Sequence, residues 1–127
     1  MEIKEEKRGE VKIIGLPGKL DAETSPDVQK RLMNIMDQGE RRLVFDFSEL
    51  TYISSAGLRV LIEVARNLHK TNGKLALAAL SDHVYAVIKI AGFTSIFSIF
   101  PTCEEAVAYA QSDSRGEGSS TVLPIAA

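Results

Sequence analysis

Apolar positions change their spacing several times along the chain, and each change marks an element. Val11, Ile13 and Leu16 lean towards period two in a β-rich run, and Ile3 lies earlier, across a turn signal at Gly9. This predicts two strands, near Glu2–Lys7 and Glu10–Leu16, with Pro17-Gly18 closing the second. Spacing then shifts to that of a helix. Val28, Leu32, Ile35 and Met36 form an amphipathic stripe. Ser25 stands as its expected cap, Pro26 in its first turn and Gly39 at its stop. Leu43 to Phe47 is a nearly continuous apolar run between two helices, as expected of a strand covered on both faces.

A second helix is expected from Ser54-Ser55, with Leu58, Leu61, Ile62, Ala65 and Leu68 as its stripe and Asn72-Gly73 as its end. Leu75–Leu80 reads as a strand. Ser81 or Asp82 caps a third helix built on Val84, Val87, Ile88 and Ala91, and Gly92 stops it. Ile96–Phe100 is a last short strand. Thr102 and Glu105 then match a capping box before Ala106, Val107 and Ala110. The order is β-β-α-β-α-β-α-β-α. This implies an α/β fold with a mixed sheet of about five strands, parallel at its centre, and about four helices. One domain over residues 1–111 is expected. A flexible, Gly/Ser-rich tail over 112–127 would follow, closing on the apolar Val122-Leu123-Pro124-Ile125.

Composition narrows the chemistry. The chain has 127 residues, 45% hydrophobic and 25% charged, as in an ordinary soluble globule. Its formal net charge of -2 gives no electrostatic ground for binding nucleic acid or an anionic membrane. With 6% aromatic residues and no Trp, a base-stacking platform is not expected. One cysteine makes neither an internal disulfide nor a multi-cysteine metal site. The N-terminus lacks a signal peptide's apolar run, and no stretch reaches the ~18 apolar residues of a spanning helix. A cytoplasmic protein is expected.

Enzyme motifs are scarce. Gly15-Leu16-Pro17-Gly18-Lys19 fails as a phosphate loop, because its glycines are too close and Leu20 stands where a magnesium-binding hydroxyl belongs. His69 and His83 have no Cys or His at ligand spacing and read as solvated surface residues. Cys103 sits in a helix first turn, where the dipole could lower a thiol pKa, but a half-buried packing role fits better. No catalytic residue, metal ligand or cofactor is expected.

The segment from Asp46 to Leu58 is the most informative. A strand hands over to a helix, and two hydroxyls, Ser54 and Ser55, stand at cap positions before Ala56 and Gly57. Serines before an apolar stripe are first of all helix caps. Glycine in a helix first turn costs up to ~1 kcal/mol relative to alanine, which suggests that something approaches closely there.

Asp46-Phe47-Ser48-Glu49-Leu50-Thr51-Tyr52-Ile53-Ser54-Ser55-Ala56-Gly57-Leu58-Arg59-Val60-Leu61 resembles the signature of the STAS domain, and more narrowly of bacterial anti-sigma factor antagonists. The likeness extends to Gly18-Lys19-Leu20-Asp21-Ala22-Glu23-Thr24, to Asn72–Leu77 and to Ile90-Ala91-Gly92-Phe93, and so covers about residues 2–111. It implies a STAS-like fold and a non-enzymatic switch. Such proteins bind an anti-sigma factor that is also a serine kinase, which frees the sigma factor. The kinase phosphorylates the antagonist, and a PPM-type phosphatase resets it.

By motif position the acceptor is Ser55, with Ser54 as second choice, since Ser54 and Ala56 replace the Asp and Ser of one well-known form of the motif. The resemblance also places Asp21, Thr24, Ser54, Ala56 and Gly57 on the partner surface. Asp21 reads equally as a turn residue. Arg59 could reach a partner carboxylate or a nucleotide phosphate, and otherwise is a solvated charge. A monomer or weak dimer without membrane insertion is expected. The rival readings are an unphosphorylated STAS scaffold in a stress-signalling complex, a soluble subunit of a membrane transporter, and a weak nucleotide hydrolase.

Overall fold

The computed structural model describes residues 2–112. The tail expected over 112–127 lies, apart from Ser112, outside the described residues. Elements run β1 (Lys4–Arg8), β2 (Val11–Gly15), β3 (Gly18–Leu20), α1 (Ser25–Asp37), β4 (Arg42–Asp46), β5 (Leu50–Ile53), α2 (Ser55–Lys70), β6 (Lys74–Ala78), α3 (Asp82–Ile90), β7 (Ser98–Phe100) and α4 (Cys103–Gln111). The main sheet has the order β1-β2-β4-β6-β7. β1 runs antiparallel to β2, and β2, β4, β6 and β7 run parallel. This is the mixed five-stranded sheet with four helices that the apolar pattern implies.

Alternation along each strand divides the interior into two cores. Ile14, Leu43, Phe45 and Leu77 face the larger core with residues of α1, α2 and α3. Val11, Ile13, Val44, Ala76 and Ala78 face Ala106, Val107 and Ala110 of α4. β4 is therefore covered on both faces, as its continuous apolar run demands. Alanines on both sides of the second interface let α4 lie close to the sheet.

Two strands escape the hydrophobic pattern. β3 and β5 form a separate two-stranded parallel sheet, outside the predicted order. The expected strand ends also shift. β6 stops at Ala78, because Ala79 adopts φ 60° and turns the chain away. Ile96 lies outside β7 and is exposed.

The cap of α1 needs correction. Thr24 occupies the cap position without a side-chain cap bond, and Ser25 is the first helical residue. The Ser25 hydroxyl is buried with no hydrogen-bond partner among the described residues. A buried, unsatisfied hydroxyl costs about 1–3 kcal/mol. Ser25→Ala removes that cost and suits a helix better. We expect it to raise unfolding stability by about 1 kcal/mol, read as a higher denaturant midpoint at unchanged slope. A lower midpoint would show that the hydroxyl has a native partner. By contrast, Ser54, Ser81 and Thr102 cap α2, α3 and α4 through their side chains. In the Thr102 box, the Glu105 carboxylate meets the threonine hydroxyl at 3.3 Å.

Candidate functional site

The start of α2 is built on the small β3–β5 sheet. Gly18 pairs with Leu50, Lys19 with Tyr52 and Leu20 with Ile53, and the register slips between Gly18 and Lys19. Thr51 sits in that slip, and its hydroxyl donates to the Gly18 carbonyl at 3.1 Å. One further bond extends the ladder: the Ser54 amide donates to the Leu20 carbonyl at 2.9 Å. The loop after β3, holding Asp21 and Thr24, is thus fixed beside the α2 N-terminus.

Gly57 makes that approach possible. A Cβ on Gly57 would lie 2.4 Å from the Leu20 carbonyl oxygen, far inside contact distance. What comes close to Gly57 is the protein's own backbone.

Ser54 and Ser55 occupy different environments. Ser54 is half-buried, and its hydroxyl accepts from the Gly57 amide at 3.3 Å as the N-cap. Ser55 is the first residue of α2 and is exposed, and its hydroxyl makes no hydrogen bond among the described residues. Ala56 is half-buried. Arg59 lies one turn on and is exposed.

Asp21 and Thr24 lock their loop reciprocally. The Asp21 carboxylate accepts from the Glu23 and Thr24 amides, each at 3.0 Å. The Thr24 hydroxyl accepts from the Asp21 amide at 3.0 Å and donates to the Lys19 carbonyl at 2.8 Å. Asp21 is therefore a turn-forming residue on the loop that adjoins Ser54. The Thr24 amide, with lesser help from that of Glu23, holds the Asp21 carboxyl below its ordinary pKa. A pKa depressed by folding adds stability that is present above the unfolded value, about 4, and is lost as pH falls through the folded one. The stability gap between wild type and Asp21→Asn should therefore be widest at neutral pH and shrink below about pH 4. Denaturant unfolding at several pH values checks this, and a gap indifferent to pH refutes it.

Two features near the site are not legible in the sequence. Ser55, Leu58, Arg59, Ile62, Arg66 and Phe93 line a shallow channel of about 460 Å³ between α2 and the end of α3. Tyr52 on β5 stacks on His83 in the first turn of α3, with ring centroids 5.6 Å apart and planes 17° apart. His83 is exposed, as expected, but it is not merely solvated. Sequence spacing gives no sign of either, since both join elements distant in the chain.

Cys103 is half-buried, as expected of a packing residue. Burial pushes its thiol pKa up, with nearby Asp46 adding to the effect, so the thiol is not activated by its helix. Among the described residues no group of three or more His, Cys, Asp or Glu could hold a metal, and no helix is long and apolar enough to cross a membrane.

An exposed serine thus opens α2 beside the loop that holds Asp21 and Thr24, and the STAS domain model matches residues 2–106. The chain belongs to the STAS domain family. Within it, the chain groups with the anti-sigma factor antagonists. It is 42% identical to BtrV of Bordetella bronchiseptica, named as a candidate anti-sigma factor antagonist, over 73% of this chain and 80% of that one. It is 30% identical to an anti-sigma-B factor antagonist of Listeria monocytogenes, over 78% of this chain and 86% of that one.

Solved structures share the fold at lower identity. An anti-sigma factor antagonist candidate from Thermotoga maritima has a TM-score of 0.83 at 19% identity, covering 87% of this chain and 95% of that one. SpoIIAA, a Bacillus cell fate determinant solved in its phosphorylated form, has a TM-score of 0.67 at 22% identity, covering 84% and 97%. These STAS relatives are named for regulation rather than catalysis.

Proposed function

We propose that this STAS protein is a cytoplasmic, phosphorylation-switched antagonist. It binds an anti-sigma factor that is also a serine kinase, and so frees a sigma factor. The kinase then transfers the γ-phosphoryl group of ATP to the Ser55 oxygen. The new bond joins that oxygen to phosphorus, the bond from the γ-phosphorus to its bridging oxygen breaks, ADP leaves, and the hydroxyl proton passes to a base of the kinase. A PPM-type phosphatase hydrolyses the phosphate and restores the binding form. The domain over residues 1–111 is the working unit, with the tail over 112–127 outside it.

The observation that carries this reading is the contrast between the two serines. Ser54 spends its hydroxyl on capping α2, whereas Ser55 presents an exposed hydroxyl with no partner among the described residues. A kinase needs a nucleophile it can reach, so Ser55 is the acceptor. Asp21 and Thr24 hold the adjoining loop in shape, and that loop with Ala56 and Arg59 completes the partner surface, whereas Gly57, buried against the Leu20 backbone, seats α2 beneath it.

The test is direct. Incubation with the kinase and ATP should raise the intact mass by one phosphate. Ser55→Ala should abolish the increase, and Ser54→Ala should retain it. Phosphate still gained by the double variant S54A/S55A would place the acceptor elsewhere and overturn the reading.

A further inference from the structure

Arg59 is the exposed cation closest in sequence to Ser55, and its surroundings leave its charge unspent. It lines the channel with Ser55, and it makes no hydrogen bond or ion pair among the described residues. Glu63 lines the same channel one turn further on, yet the two do not pair. At i, i+4 spacing an acid pairs better when it precedes the base, and here the base comes first. Ser55 stands at i-4 from Arg59, the favourable side for an acid. Arg66 lies two turns beyond Arg59 on the same face, so the channel wall carries two guanidinium groups against one carboxylate. The floor between them is apolar, with Leu58, Ile62 and Phe93, and Ile90 at the end of α3 is 86% exposed. Such a surface suits an amphipathic segment whose flank is acidic.

We infer that Arg59 is a counter-ion shared by two acids in turn: a carboxylate of the partner seated in this channel, and a phosphate on Ser55. The inference rests on the proposed reading of Ser55 as the acceptor. Before modification, Arg59 is free to meet the partner's carboxylate. After modification, the phosphate lies one helical turn away in the favourable order and takes the guanidinium. The partner then loses its counter-ion and also meets a new negative charge. One covalent change thus acts twice on the same contact.

The role of Arg59 is tested on the full chain with phosphoserine placed at position 55 by codon suppression, so that no kinase is needed to make it. Phosphorus NMR follows the phosphate through its second ionisation. R59Q should raise that pKa by about 0.3 units relative to wild type, and R59K should restore most of the difference. Calorimetry then measures how both forms bind the anti-sigma factor kinase. Without phosphate, R59Q should bind about fivefold more weakly than wild type, and the loss of affinity caused by phosphate should shrink by a similar factor. A wild-type chain whose affinity ignores the phosphate overturns the proposed function. A phosphate-sensitive chain in which R59Q moves neither the pKa nor the affinity overturns the role of Arg59 alone.

Discussion

Gly57→Ala should destabilise this domain by about 2 kcal/mol, although alanine is the better helix former. Helix propensity favours the change by up to ~1 kcal/mol. Sterics oppose it more strongly. The added Cβ would lie 2.4 Å from the Leu20 carbonyl oxygen, 2.8 Å from Leu20 Cγ and 3.0 Å from Ile53 Cγ1. The first of these is backbone, and it is already held by the Ser54 amide at 2.9 Å. Relieving the clash means breaking that bond or tilting α2 off its bed. Overpacking of this kind costs about 1–3 kcal/mol, and a lost hydrogen bond adds about 1 kcal/mol. The melting temperature should fall by roughly 5–10 °C for a domain of this size. Loosening the Asp21 loop should also weaken partner binding. A variant as stable as wild type would mean that the two elements separate without cost.

Phosphate on Ser55 should weaken binding of the kinase a few hundredfold while leaving the fold intact. The group adds roughly -1.5 to -2 charge and three acceptor oxygens. Within the domain it meets the α2 N-terminus, whose amides and dipole favour an anion by about 0.3–1 kcal/mol. The melting temperature should therefore hold or rise slightly. At the interface the same charge is desolvated against a partner that fitted a neutral hydroxyl. A loss of ~3–4 kcal/mol there corresponds to the stated change in affinity. Titration calorimetry on both forms, with a thermal melt of each, separates the two effects. A phosphoprotein that melts far below the unmodified chain would mean that the switch works by unfolding.

How far the sequence reveals all this depends on the range of the interactions. β4 and α2 are legible because their apolar residues repeat with the element's own period. The caps at Ser81 and Thr102 are legible because a cap bond spans three residues. Ser25 and Thr24 look alike as cap candidates, and the turn before the helix distinguishes them: Thr24 spends its hydroxyl on the Asp21 amide and the Lys19 carbonyl, three and five residues back, a turn that the apolar spacing does not reveal. The β3–β5 sheet is hidden for another reason. β5 shows only its two end residues, Leu50 and Ile53, to the core, so its exposed middle breaks strand alternation. The candidate site shares that fate. Its serines, loop and arginine are legible as motif, but the bond from Ser54 to Leu20 that joins them spans distant segments. Gly57 shows the difference best. Its cost to the helix marks it as special, while the neighbour that requires it is visible only in three dimensions.

The outer strand of the sheet bears on how copies of this protein meet. β1 reads Lys-Glu-Glu-Lys-Arg, every residue of it exposed, and Glu5 is held by both Lys12 and Arg31. An edge strand so densely charged, with Lys4 and Lys7 on it, is a poor template for another backbone, because pairing would crowd and partly desolvate its charged side chains. The opposite edge, β7, has only three residues and runs into Pro101. Neither border invites stacking of sheets from separate molecules. Crowded at high concentration, the chains should resist ordered aggregation, and surfaces other than the sheet borders are left for any assembly they form.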